Sequence, residues 1–439
     1  MGKLILESAI FAPIGSVLIV LLSVGFARRP TAAIPLLLVV EMFNTSSLFP
    51  TGVMVGPVHV FPEDILAVAL AVATLMRLQQ HGYGLRPERR MVALLAVLLL
   101  GLARGVAAFG LQTSVNNGRE MLYMLIAAVF FSTVRVTPEL VGSVRNWLLL
   151  ASGVLIIVAV DFWSQHGFGT YAATGNRALD ALQALVVLEA TIITVLFPPF
   201  RSPALRVGLP LVGLIVVALS IQRTDWAAAL VAAAVLMTTR QRSRGSRSMA
   251  APRFLVVAAV LAVVLLVAAG PPGVTNSLTA GYQQTSISQG SSSTFSWRLQ
   301  GWSILVNRQI TGPPVDLLIG SPSGTGYERV IDGATWTVAP HSEYVSALDE
   351  TGLFGVALLL WAYASALRRS RRRLRSPSPF IGRVALLFTV LLALQLTYFI
   401  GYSEGAVVGI MLGLAFGFVH GGNQDPSVSD RGDREAATP

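Results

Sequence analysis

Arg298, His341 and the glycine-rich run between them are the residues of this chain whose types suit chemistry, and all lie in one polar stretch, 271–351. The stretch holds Arg298-Leu-Gln-Gly-Trp302, then Gly320-Ser-Pro-Ser-Gly324-Thr-Gly326, then His341-Ser-Glu-Tyr344. A planar guanidinium grips phosphate through paired N–H groups. A glycine-rich turn lets backbone N–H groups come close to phosphate oxygens. A neutral imidazole can take a proton from a sugar hydroxyl at physiological pH, with Glu343 or Asp349 as an orienting carboxylate. These are the types needed to hold a phosphate-linked, anionic substrate beside a base. The glycine run has no Lys-Ser/Thr ending and follows no strand–helix fingerprint, so it is not a nucleotide-binding P-loop. Trp302, Trp336 and Tyr344 share the stretch and could stack on sugar rings, while most other aromatics fit an interfacial belt.

The elements that must position these residues are hydrophobic. Of 439 residues 54% are hydrophobic and 12% charged, and the apolar residues come in unbroken blocks, which is membrane composition. Lipid leaves the backbone to satisfy itself, so the blocks are expected to be helices. The reading is all-α: a polytopic integral membrane protein of about thirteen spans, or about twelve if the proline-bearing segment 49–62 is re-entrant, with one large extracytoplasmic loop. The expected spans are 5–26, 31–48, 63–76, 91–110, 119–134, 146–163, 179–197, 207–222, 225–239, 254–270, 352–367, 384–400 and 404–420. The corresponding organisation is a helix bundle over 1–270, the substrate and catalytic loop 271–351, further membrane helices over 352–420 and a disordered cytoplasmic tail, 421–439. The first apolar run ends in Ala27-Arg28-Arg29 without a small-x-small site, so no cleavable signal is expected.

Arginine sets the orientation, because basic residues accumulate in cytoplasmic loops. The clusters near residues 28, 86–90, 135–145, 201–206, 240–253 and 368–383 fall in alternate loops. The amino terminus and the stretch 271–351 are therefore placed outside the cytoplasm. The formal charge of +10 follows from this topology and not from nucleic-acid binding. No cysteine is present, which removes thiolate nucleophiles, disulfides and cysteine metal sites.

Five basic residues remain in unusual positions on the outer side: Arg104, Arg119, Arg177, Arg223 and Arg298. Arginine is depleted there and costly near hydrocarbon, so together they call for a shared anionic partner. Individually, each could snorkel to headgroups or pair with an acid, Arg119 with Glu120, Arg177 with Asp180 and Arg223 with Asp225. Glu41, Asp161 and Glu189 are read as intramembrane acids, each a possible packing partner for an arginine. The outer histidines His59, His166 and His341 are too widely spaced for a metal site, and no Asp-x-Asp pair is present, so no metal and no cofactor are expected.

The second half, from about Leu209 to Leu360, resembles the bacterial O-antigen ligase and O-antigen polymerase superfamily. The likeness rests on Ser220-Ile-Gln-Arg223-Thr-Asp-Trp226, on Arg298-x3-Trp302, on Gly324-Thr-Gly326, and on His341 followed by Gly352-Leu-Phe-Gly355. That resemblance implies a polytopic enzyme of the cytoplasmic membrane, working on its extracytoplasmic face. It would move a glycan from a polyprenyl diphosphate to a glycan, lipid or protein acceptor. It implies that Arg223 and Arg298 contact the diphosphate and that His341 activates the acceptor hydroxyl. The reading of the residues themselves adds Arg104, Arg119, Arg177, Trp302, Gly324, Gly326 and Tyr344 as candidate substrate contacts. The chain departs from the family pattern in carrying Gln222-Arg223 for Ser-Arg and His341-Ser342 for His-Asn. Polymerisation of a surface polysaccharide is the favoured reading, and ligation to lipid A core or a protein shares its donor chemistry. A transporter or flippase of lipid-linked sugars is the alternative of another class, though no internal repeat supports it.

Overall fold

The computed structural model of the chain describes residues 2–43, 52–55, 58–81, 87–166, 177–220, 222–239, 294–402 and 405–420. Within them the fold is mostly helical, with two short antiparallel hairpins. In chain order come α1 (Gly2–Arg28), α2 (Ala33–Phe43), β1 (Val53–Val55) paired with β2 (Val58–Val60), α3 (Pro62–His81), α4 (Arg89–Phe109) and α5 (Leu111–Ser132). Next are α6 (Pro138–His166), α7 (Ala181–Leu196), α8 (Pro203–Leu219) and α9 (Arg223–Thr238). The polar stretch contributes α10 (Thr294–Thr311), α11 (Pro314–Ile319) and the hairpin β3 (Arg329–Ile331) with β4 (Ala334–Trp336). The last helices are α12 (Glu343–Arg373), α13 (Pro379–Tyr398) and α14 (Ala406–His420). The expected span 254–270 and the tail 421–439 lie outside the described residues.

Local chemistry explains the boundaries. Prolines stand in the first turns of α8, α11 and α13, where a missing N–H forfeits no helical bond. Asp180 caps α7 reciprocally: Gln183 N donates to its Oδ1 at 2.8 Å, and Asp180 N donates to Gln183 Oε1 at 3.1 Å. Gly110, at φ +82°, breaks α4 from α5. Asp332 and Gly333, both at positive φ, form the two-residue turn of the second hairpin, whose register sets Ile331 opposite Ala334. The proline-bearing segment 49–62, for which a re-entrant piece is the alternative to a simple connection, contains the first hairpin.

The centre of the bundle is the packing of α14 along α5. Gly405, Gly409, Gly413 and Gly417 recur at every fourth position and so share one helix face. A Cβ at Gly413 would meet the Ala128 carbonyl oxygen at 2.6 Å, and one at Gly409 would collide with the Met124 carbonyl. Small residues are what allow two helix backbones to pack this closely. Glu41 supports the same helix from a distance, its Oε1 accepting the Ala406 N–H at 2.5 Å. Of the other acids read as intramembrane, buried Glu189 accepts from Gln395 Nε2 at 3.2 Å, and exposed Asp161 accepts from Gln165 at 2.9 Å.

Four described helices, α4, α6, α12 and α13, are long and apolar enough to cross a membrane. Shorter apolar helices, among them α2, α7, α8 and α14, accompany them. Large aliphatic side chains stand exposed on the outside of the bundle, such as Ile157 at 70% and Leu150 at 57% on α6 and Leu230 at 62% on α9. Surfaces of this kind are unfavourable in water and fit membrane association. Gly409→Ala is expected to lower the thermal unfolding midpoint in detergent, at a cost of about 1–3 kcal/mol from overpacking. Gly153→Ala, where an added Cβ meets nothing within 4 Å, is the matched control and should be neutral or stabilising. Equal midpoints for the two variants would show that the α5–α14 contact is not tight.

Candidate functional site

Tyr402, in the turn after α13, is the point on which the candidate residues meet. Arg298, on the first turns of α10, donates through Nη1 to the Gly401 carbonyl at 3.0 Å, and its guanidinium lies 5.2 Å from the centre of the Tyr402 ring. Arg177, just ahead of the α7 cap, donates to the Tyr402 hydroxyl at 3.3 Å and also to Gln222 Oε1. The Tyr402 hydroxyl donates to the same Gln222 oxygen at 2.8 Å. The His341 ring meets the Tyr402 ring edge-on, with centres 6.4 Å apart and planes at 68°. One phenol thus touches two arginines and the histidine, adding cation–π attraction to hydrogen bonds.

Residues from distant parts of the chain aim this cluster. Gln222 is buried, and its Nε2 donates to the Leu179 carbonyl at 2.9 Å, which turns its oxygen towards Arg177 and Tyr402. Arg223 opens α9 between Gln222 and Thr224, and Thr224 packs against Gly401 so closely that no side chain would fit there. His341 takes positive φ, +51°, an uncommon backbone for a non-glycine residue. Neighbours on both sides hold it: Trp302 Nε1 donates to the Pro340 carbonyl at 2.6 Å, and Glu343 N donates to the Phe399 carbonyl at 2.9 Å. Ser342, standing where the resembled family has Asn, donates to the Phe399 carbonyl at 3.4 Å.

Burial, followed by the charges of Arg298, Arg329 and Arg177, pushes the His341 imidazole down to about 4. The ring is therefore neutral, with a free acceptor nitrogen, across the physiological range. An unfolded histidine titrates near 6.5, so His341 contributes its full stabilisation above that value and loses it as pH falls towards 4.

Other candidate residues hold the polar stretch in place. Arg104 donates through Nη2 to Asp316 at 2.5 Å and through Nη1 to the Gly320 carbonyl at 2.7 Å, fastening α11 to α4. Arg119 pairs with Asp64 at 3.2 Å, across to α3, and donates to the His59 carbonyl at 3.0 Å. The glycine-rich run is packed against helices: Ser321 N donates to Asp349 O at 2.7 Å, Ser323 N to Gly101 O at 3.0 Å and Thr325 N to Pro322 O at 3.1 Å. These three N–H groups are committed to protein carbonyls. Gly324, at φ +102°, leans on Phe109 and Thr113, and the Gly326 carbonyl accepts from Arg308 at 2.9 Å. Tyr344 donates to the Leu396 carbonyl at 2.8 Å, so its hydroxyl helps dock α12 on α13. Asp349 accepts from Arg308 at 2.7 Å and Gln309 at 2.6 Å, which removes it as an orienting carboxylate for His341.

Three contributors were not picked out from sequence. Tyr402 follows Tyr398 at helical spacing just past an apolar run, and the two rings stack with centres 5.5 Å apart. Gln222 directly precedes Arg223. Arg329 belongs to a hairpin signalled by Asp332-Gly333 between short β-forming runs. Compared with known proteins, the chain matches no family model, and no curated sequence matches it.

Trp302→Phe keeps the ring but removes the donor to Pro340, at an expected cost of about 1 kcal/mol. Amide hydrogen exchange over residues 338–344 should accelerate relative to wild type, whereas unchanged exchange there would mean that the indole does not hold the histidine segment.

Proposed function

We propose that this chain is a multi-pass enzyme of the cytoplasmic membrane that transfers a glycan from a polyprenyl diphosphate to an acceptor hydroxyl on the extracytoplasmic face. The observation that carries the reading is the convergence of Arg177, Arg298 and His341 on Tyr402, with Arg223 beside it at the start of α9. Guanidinium groups and an unprotonated imidazole are the two kinds of group that transfer from a diphosphate needs: one for the leaving group, one for the nucleophile. In this reading His341 takes the proton of the acceptor hydroxyl as its oxygen bonds to the anomeric carbon. The bond from that carbon to the diphosphate oxygen breaks on the opposite side, inverting the centre, and its electron pair leaves with the lipid diphosphate. The arginines neutralise the charge that grows there. The bound diphosphate also offsets the positive field that suppresses protonation of His341, so the imidazole is a stronger base in the filled site than in the empty one.

The reaction uses the chain's own side chains and no cofactor. Polymerisation of a cell-surface polysaccharide is the favoured form; ligation to lipid A core or to a protein would use the same donor half of the site. Purified protein in lipid nanodiscs, given a synthetic polyprenyl-diphosphate glycan and candidate acceptors, tests the reading. His341→Ala should slow transfer by roughly 10²- to 10⁴-fold. Arg298→Lys should slow it by about 10²-fold, because an ammonium cannot reproduce the two-pronged contact. Wild-type rates in both variants, or no transfer by the wild-type protein to any acceptor class, would sink the proposal.

A further inference from the structure

Arg329 lies outside the arginine set read from sequence, and its setting is unusual. It starts β3 and is 3% exposed, and Nη1 donates to the Tyr327 carbonyl at 2.9 Å and to the Val338 carbonyl at 2.7 Å. Its guanidinium lies 5.3 Å from the centre of the Trp297 ring, which in turn meets Trp336 edge-on at 5.1 Å. Gly301, on the face of α10 one turn from Arg298, makes the room: a Cβ there would stand 2.7 Å from Arg329 Nε. Among the described residues Arg329 enters no ion pair, and its Nε has no hydrogen-bond partner. A buried guanidinium without a carboxylate is costly, and here burial and the neighbouring charge of Arg308 lower its own pKa. A packing role alone would be filled more favourably by an apolar side chain.

We propose that Arg329 is a positioning residue for His341: it ties down the strand leading to the histidine and sets a fixed positive charge near the imidazole that adds to burial in opposing its protonation. The mechanical half follows from the Val338 bond, since Val338 lies three residues before His341 and the Trp302 bond to Pro340 holds the interval between them. The electrostatic half follows from the surroundings of the imidazole. Among the described residues, the charged or titratable groups that act on it or meet its ring are Arg298 from α10, Arg329 from β3, Arg177 from the approach to α7 and Tyr402 from the turn after α13. Glu343, which opens α12 two residues after the histidine, is buried and acts on Tyr327 and Tyr344. Arg177 and Arg298 face Tyr402, where the proposed donor would be held, so a bound diphosphate neutralises them directly. Arg329 is anchored to two backbone carbonyls beneath α10 and keeps its place whether or not the site is filled. Its effect as a base-tuning residue rests on the proposed transfer reaction; its effect on the imidazole does not.

The test reads that imidazole without any glycan. Diethyl pyrocarbonate acylates neutral imidazole, so the rate of His341 labelling against pH, followed by peptide mass spectrometry on the full chain in nanodiscs, gives the midpoint of protonation. Wild type should label at its full rate down to about pH 5. Arg329→Gln should raise the midpoint, and a one-unit rise would cut labelling at pH 5 about twofold. Arg329→Lys, which keeps the charge, should stay near wild type. Should Arg329→Gln fail to fold, Gly301→Ala, which pushes the guanidinium out of place without removing it, should also raise the midpoint. An unmoved midpoint in every folded variant overturns the proposal, as does an equal rise in the Gln and Lys variants. Loss of the shift with glycan transfer intact would refute the role of Arg329 alone, and the shift without any transfer would refute only the reaction.

Discussion

The candidate site depends on backbone pressed against backbone where the polar stretch meets the helix bundle. Gly320 backs onto the Glu350–Thr351 peptide, Gly352 receives residues 318–320, and Gly105 on α4 receives Ser323, each so closely that a Cβ would collide. Gly352 takes φ +66° in the middle of α12 and bends the helix there, which an L side chain would resist. With these contacts in place, Arg104 can reach Asp316, and Arg308 and Gln309 can reach Asp349. α10 and the β3–β4 hairpin are carried along, and the start of α12 brings His341 to the end of α13. A site built on a long connection would ordinarily be mobile. Here residues 318–323 are pressed against α4 and α12 backbone to backbone.

A second constraint is electrostatic. Three guanidinium groups influence one imidazole, and Arg298 and Arg329 enter none of the ion pairs among the described residues. Backbone carbonyls and aromatic faces hold them instead: Gly401 and Tyr402 for Arg298, Tyr327, Val338 and Trp297 for Arg329. Such partners fix direction without cancelling charge. The resulting positive field has two effects with one cause. It adds to burial in opposing protonation of His341, and it makes the same place favourable for an anion. Arg104, Arg119 and Arg308, by contrast, each meet a carboxylate and serve to fasten the frame.

The helices were largely legible because uninterrupted apolar blocks leave the backbone little other choice. Their ends were less so. α12 begins at Glu343, within the polar stretch, because Ser342 and Glu343 dock on the Phe399 carbonyl, a contact no local pattern reveals. The hairpins were missed since three-residue strands carry too little periodicity to register, although Asp332-Gly333 marks one turn. At the site, Arg298 and His341 stood out through charge and setting, whereas Tyr402, between two expected spans, carries no local pattern that singles it out. The glycine-rich run read as a phosphate cradle because glycine permits close approach, and glycine does not specify what approaches.

By itself the sequence determined which segments are apolar helices, where arginine is concentrated, and which residue types are available to bind an anion and move a proton. Those properties follow from composition and local spacing, which are written along the chain. Only the tertiary structure decided which arginines are spent on carboxylates and which keep an uncancelled charge beside His341. Asp316 reaches Arg104 across 212 positions, and Tyr402 reaches Arg177 across 225. Pairings over such separations depend on how helices pack, and packing depends on where glycine lets backbones meet.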